Sequence, residues 1–263
     1  MLDFDCQRDT LDQLNRLSRS DYHSIVIHGN HGVGKTFLAR QYASLLHIPD
    51  FKIVPANVGA IREALDISSS NTNNIVLCIE NLDDGVVSSA YTMLKTLEEP
   101  PQHLYLVLTC SNLKNIPDTI ISRSAIVSIS YPTNEDIMKH AKNSDTAKYN
   151  KYVNQKIWNA VRAFSDVDKI FRFTDVQVEY FNQLYILIRD AKSDSIANLM
   201  WRLGHFPDKA EIPIQFMLNY LIYNEDNYIR KRIYMRCSQD IENSRVASHV
   251  CIARMLFALK YQV

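Results

Sequence analysis

Residues 29–36 read GNHGVGKT, a complete G-x-x-x-x-G-K-[ST] string, and no other feature of this 263-residue chain constrains its fold as tightly. The string follows the apolar run Ile25-Val26-Ile27 and leads into the helical pattern that opens with Phe37-Leu38-Ala39. A strand, a glycine-rich turn and a helix start in that order create a nest of backbone N–H groups at the positive end of a helix. Gly29, Gly32 and Gly34 let the backbone curl toward phosphate oxygens, while Lys35 is expected to reach the β- and γ-phosphates and Thr36 to hold Mg2+. The sequence therefore predicts a nucleoside triphosphate site.

Apolar runs recur at 25–27, 51–54, 75–79, 104–109 and 126–129, with helical patterns between them. Near-continuous apolar strands alternating with helices indicate a parallel sheet covered on both faces. Ligands on such sheets bind at the carboxyl ends of the strands, where the glycine-rich turn lies. After Pro132 the pattern changes to helices, opened by Thr133-Asn134-Glu135-Asp136 as an N-cap with acidic first-turn residues. The stretch 143–150 is polar and reads as a loop. Helical spacing returns in Ile157, Val161 and Phe164, and again in Tyr180, Leu184, Leu187 and Ile188. Val246, Val250, Ala253 and Phe257 share one face of a last helix. The expected fold class is α/β plus all-α, with an α/β nucleotide domain at 1–131, a small helical lid at 132–174 and a helical collar at 175–263.

Twenty-nine basic and 29 acidic residues cancel, so the surface as a whole is no electrostatic trap for nucleic acid. The cysteines (Cys6, Cys78, Cys110, Cys237, Cys251) form no C-x-x-C pair, which predicts neither a zinc site nor a disulfide framework. The amino terminus lacks a signal-like region and no apolar stretch is long enough for a bilayer, so the expected location is the cytoplasm.

Further motifs carry a resemblance. Strand 75–79 runs into Glu80-Asn81; beyond it come Met93-Leu94-Lys95-Thr96-Leu97-Glu98-Glu99-Pro100-Pro101 and, after strand 104–109, Ser122-Arg123-Ser124. Together these resemble the clamp-loader branch of the AAA+ ATPases, above all the delta prime and gamma/tau subunits of bacterial DNA polymerase III. MLKTLEEPP is similar to a signature string of that branch, and Ser122-Arg123-Ser124 to its arginine-finger motif. Ala60-Ile61-Arg62-Glu63 resembles the family's I-R-E segment, and 241–259 its last collar helix. The stretch 45–51 is too short for the zinc module that the family inserts there, as in a phage-type version without it.

The resemblance implies an AAA+ fold with ATP and Mg2+ as cofactors. It assigns Gly29, Gly32, Gly34, Lys35 and Thr36 to the phosphates, and Thr36 with Glu80 to the metal. Either Ser111 or Asn112 becomes the polar sensor of the γ-phosphate, and Arg123 the finger that reaches a neighbouring subunit's nucleotide. Two departures bear on turnover. Asn81 stands where active members carry the glutamate that polarises the attacking water, and an amide cannot act as a general base. Asp168 falls where the family's lid carries an arginine toward the γ-phosphate; Lys169, next to it, points about 100° away on a helix. The implied protein is an ATP-binding clamp-loader subunit in DNA replication, with weak or no hydrolysis alone and more in an assembly. Its implied partners are other loader subunits or copies of itself, a sliding clamp, and primer–template DNA held by backbone contacts. Arg62 is the leading residue for DNA; the run Arg230-Lys231-Arg232 with Arg236 reads first as a solvated helix face. A replicative helicase loader and a catalytically silent structural AAA+ subunit are the alternatives.

Overall fold

The computed structural model describes residues 8–69, 72–85, 87–179, 181–182, 211–243 and 248–261. Its first compact unit runs to His140 and takes in Ala163–Ser165; the remainder forms a second unit. Helix α1 (Arg8–Leu17) precedes the sheet strands β1 (Ser24–His28), β2 (Asp50–Pro55), β3 (Ile75–Glu80), β4 (Leu104–Cys110) and β5 (Ala125–Ser128). All five strands expected from the apolar runs are present. Their order is β2-β3-β4-β1-β5 and every neighbouring pair is parallel.

Alternation along each strand sorts side chains onto two faces. Ile25 and Ile27 of β1, Val76 and Cys78 of β3 and Val107 of β4 pack with α1 and with Leu38, Ala39 and Tyr42 of α2 (Lys35–Leu45). Val26, Leu77, Ile79, Leu106 and Leu108 face the other way, toward Ile61 of α3 (Val58–Ser69), Ala90 of α4 (Val87–Thr92) and Leu97 of α5 (Leu94–Glu98). Burial of both faces explains why the central strands are apolar without a break. Because β1 and β4 are neighbours while the chain reaches β2 and β3 first, the connection reverses beside β1, and a crevice opens at the carboxyl ends of the strands there. A short helix, α6 (Asp118–Ile121), precedes β5.

Beyond the sheet, α7 (Asn134–Ser144) begins at the expected cap: Thr133 and Asp136 exchange hydrogen bonds, the Asp136 N–H donating to Thr133 Oγ1 at 3.2 Å and the Thr133 N–H to Asp136 Oδ2 at 2.9 Å. The stretch expected as a loop at 143–150 is instead largely helical. Asp145 caps α8 (Thr146–Tyr152) by accepting the Lys148 N–H at 3.0 Å, and Tyr149 and Tyr152 bury one side of the turn. Nor is the spacing of Ile157, Val161 and Phe164 one α-helix. Lys156–Ala160 is a 3-10 turn, Val161 is extended, and Phe164 opens α9 (Phe164–Ile170).

In the second unit, Tyr149 meets Trp158 edge-on at 5.5 Å, and Phe173 meets Phe216 in the same way. Phe216 lies on α10 (Glu211–Asn224), which packs on α11 (Tyr228–Asn243); α11 packs on α12 (Ser248–Tyr261). Cys251, Ile252 and Met255 form the buried side of α12, whereas Phe257, expected on the apolar face, is exposed. Tyr180, Leu184, Leu187, Ile188 and Val246 lie outside the described residues. The four described cysteines are free and buried. Among the described residues no helix is long and apolar enough to cross a membrane.

Candidate nucleotide site

The glycine-rich turn begins where β1 ends, and the Gly29 N–H donates to the Cys110 carbonyl at 3.1 Å, continuing the ladder to β4 by one bond. Gly32 and Gly34 have φ of 78° and 99°, a left-handed backbone that side chains with a Cβ disfavour. Gly32 is also tightly enclosed: a Cβ there would lie 2.0 Å from Ser165 Oγ, and the Ser165 N–H donates to the Gly32 carbonyl at 3.3 Å. The start of α9 thus closes over the turn. Asp166 accepts the Arg162 N–H at 2.9 Å, Asp168 is exposed, and Lys169 pairs at 3.9 Å with Asp166.

Lys35, the first residue of α2, is buried; its Nζ donates to the Gly29 carbonyl at 2.7 Å, the Asn30 carbonyl at 3.1 Å and Ser111 Oγ at 3.0 Å. Thr36 Oγ1 donates to Glu80 Oε1 at the carboxyl end of β3. Lys35, Thr36, Glu80 and Ser111 are therefore assembled from the start of α2 and the carboxyl ends of β3 and β4. The two sensor candidates separate: Ser111 touches Lys35, whereas the Asn112 side chain accepts the Lys114 N–H at 3.1 Å and caps a 3-10 turn.

Asn81 adopts a left-handed conformation (φ 52°, ψ 54°), one that asparagine tolerates better than most residues, and its N–H donates to Thr109 Oγ1 at 3.0 Å. Asp83 was not among the residues expected here. Its Oδ2 accepts the N–H groups of Ser111 and Asn112 at 2.9 and 2.8 Å. An Asp-Asp pair in a turn looks like solvated loop, and no spacing rule links it to residues 28 positions later. Burial pushes the Cys110 thiol up to about 11; the Asp83 charge adds to the rise and Lys35 opposes it.

Arg123 lies far from these groups. It precedes β5, so it sits at the amino ends of the strands, separated from the glycine-rich turn by the length of β1, roughly 15 Å at about 3.3 Å per residue. Its guanidinium donates to Glu98 Oε1 and to the Thr119 carbonyl, both at 2.9 Å. Next to it, Ser124 Oγ lies 2.8 Å from Ser24 Oγ at the start of β1. Arg62 is exposed on α3. Arg230 pairs with Glu225 at 3.8 Å, and Arg232 and Arg236 are exposed beside a cavity between α11 and α12.

A parallel sheet of this order, with a lysine and threonine opening the helix after β1 and an acid ending β3, is an α/β fold of the AAA+ type. Residues 48–133 match the family model described as DNA polymerase III, delta subunit. A DNA polymerase III subunit gamma of Buchnera aphidicola subsp. Schizaphis graminum is 30% identical over 151 residues, covering 46% of this chain and 42% of that protein. The counterpart from Buchnera aphidicola subsp. Acyrthosiphon pisum is 26% identical over the same shares. Over these segments the chain is similar to clamp-loader subunits of DNA polymerase III. It spans less than half the length of the curated relatives it matches. A crystal structure of a DNA polymerase III gamma subunit-related protein from Thermotoga maritima superposes with a TM-score of 0.57, at 14% identity, over 96% of this chain and 99% of that one.

Proposed function

We propose that this chain is an ATP-binding subunit of a sliding-clamp loader acting in DNA replication in the cytoplasm. The observation that carries this reading is the convergence of Lys35, Thr36, Glu80 and Ser111 on one turn, while Arg123 stands at the opposite end of the sheet. The family binds ATP with Mg2+, and the residues here fit that pair. Two positive-φ glycines shape the turn, a buried ammonium is held by loop carbonyls, and a hydroxyl and a carboxylate meet at the place for a cation. Bound Mg2+ and ATP would supply a polarised γ-phosphate. Lys35 neutralises phosphate charge, Thr36 and Glu80 hold the cation or its waters, and Ser111 orients a γ-phosphate oxygen.

Asn81 can orient water but cannot take its proton, and Asp168 brings no positive charge, so hydrolysis by the chain alone is weak or absent. Arg123 serves a neighbouring subunit's nucleotide, as an arginine finger acting in trans. In this reading 1–131 form the nucleotide domain, 132–174 the lid and 175–263 the collar. The partners are other loader subunits or further copies, a sliding clamp, and DNA met by Arg62 through its backbone.

Titration of the chain with a fluorescent ATP analogue and Mg2+ tests the core of the proposal. Saturable binding that Lys35→Ala abolishes is expected; no binding at millimolar nucleotide, with or without loader subunits, overturns it.

A further inference from the structure

We propose that Asp83 is the positioning residue by which this site distinguishes a triphosphate from a diphosphate, an inference that rests on the ATP-site reading above. The ladder between β1 and β4 ends with His28 opposite Cys110 and the Gly29 bond to the Cys110 carbonyl. Ser111 and Asn112 are the next two residues, beyond strand support. Both N–H groups converge on one oxygen, Asp83 Oδ2, at 2.9 and 2.8 Å. One acceptor shared by consecutive amides fixes the peptide between them, and with it the direction of the Ser111 side chain. That side chain ends on Lys35 Nζ at 3.0 Å. Asp83, the turn after β4, Ser111 and Lys35 thus form one continuous chain of hydrogen bonds.

The carboxylate is half-buried, with one oxygen engaged and the other enclosed. Its second oxygen, Oδ1, is buried and has no hydrogen-bond partner among the described residues. A buried carboxylate oxygen is costly to leave unpaired, so its retention requires the two charge-assisted bonds on Oδ2. Glu80 is turned to Thr36, and the amides of Ser111 and Asn112 find their acceptor on Asp83. The hydrogen bonds of Asp83 go to backbone amides of the sensor turn, and its influence reaches the nucleotide through Ser111. Serine at this place can read only the γ-phosphate end, next to Lys35, so loss of Asp83 weakens triphosphate binding selectively.

The test titrates the full chain with Mg2+ and either ADP or a non-hydrolysable ATP analogue, comparing wild type, Asp83→Ala, Asp83→Asn, Ser111→Ala and Lys35→Ala. Wild type is expected to prefer the triphosphate. Asp83→Ala and Ser111→Ala should each weaken the analogue about tenfold with less than about twofold change for ADP, the effect of one charge-assisted hydrogen bond. Asp83→Asn retains an acceptor oxygen and should keep most of the preference. Equal losses for both nucleotides, an unchanged ratio in Ser111→Ala, or a wild type that binds both alike overturns the inference while leaving an ATP site in place. Binding that ignores Lys35→Ala overturns the ATP-site reading itself, and the inference with it.

Discussion

Arg123 donates to Glu98 Oε1 at 2.9 Å, so the residue that resembles an arginine finger is held within its own chain by a glutamate of the MLKTLEEPP string. Both side chains are partly exposed, and such surface pairs contribute between about 0 and 1 kcal/mol. Glu98→Ala should therefore shift urea unfolding by no more than about 1 kcal/mol. Arg123→Ala should leave ATP affinity of the chain unchanged, because the guanidinium is a strand length from Lys35. A change of more than threefold in that affinity, read by titration, would contradict the placement.

Gly32 meets Ser165 across the nucleotide turn, and no side chain fits between them. Gly32→Ala combines a left-handed backbone, disfavoured by about 1 kcal/mol or more, with a clash against Ser165. The variant should be destabilised by about 1–3 kcal/mol. The double variant Gly32→Ala with Ser165→Gly should recover the clash but not the backbone part, a difference that denaturant melts resolve.

Asn81 sits in a left-handed turn that suits asparagine, and in the proposed reading its amide stands where a general base would act. Asn81→Glu adds the missing carboxylate, and general bases contribute about 10²–10⁴-fold. Turnover measured by phosphate release should rise at least tenfold, while stability falls by about 1 kcal/mol from the backbone conformation. Unchanged turnover in a folded variant would show that residue 81 does not face the attacking water.

Burial pushes the thiols of Cys78 and Cys237 up to about 12, from an ordinary value near 9, and Cys110 to about 11. Raised values mean that the unfolded chain loses these protons first, so stability is undiminished below about pH 9 and falls as pH climbs toward 11–12. Urea midpoints measured from pH 7 to 10.5 should decline above pH 9. At pH 8, alkylation followed by mass spectrometry should find these three cysteines unmodified until denaturant is added.

The sheet was legible because each strand is buried on both faces, which leaves an apolar run that no loop would carry. The glycine-rich turn was legible because its backbone geometry permits few residues. What lay hidden depended on contacts distant in sequence or on helices with few apolar residues. Asp83 gains its role only by meeting the amides of Ser111 and Asn112. Helix α8 escaped because Asp145 and two tyrosines support it in a polar segment. Ser111 and Asn112 were indistinguishable in the string and separate only once Lys35 is seen beside one of them.

The opposed positions of Arg123 and the glycine-rich turn carry a kinetic consequence. A guanidinium at one end of a rigid sheet cannot bend round to the other, so a solitary molecule has no route to assist itself. Any hydrolysis that depends on Arg123 must be an encounter between molecules. In dilute solution its rate should grow with the square of protein concentration when copies act on one another, and linearly with each component when the neighbour is a different chain.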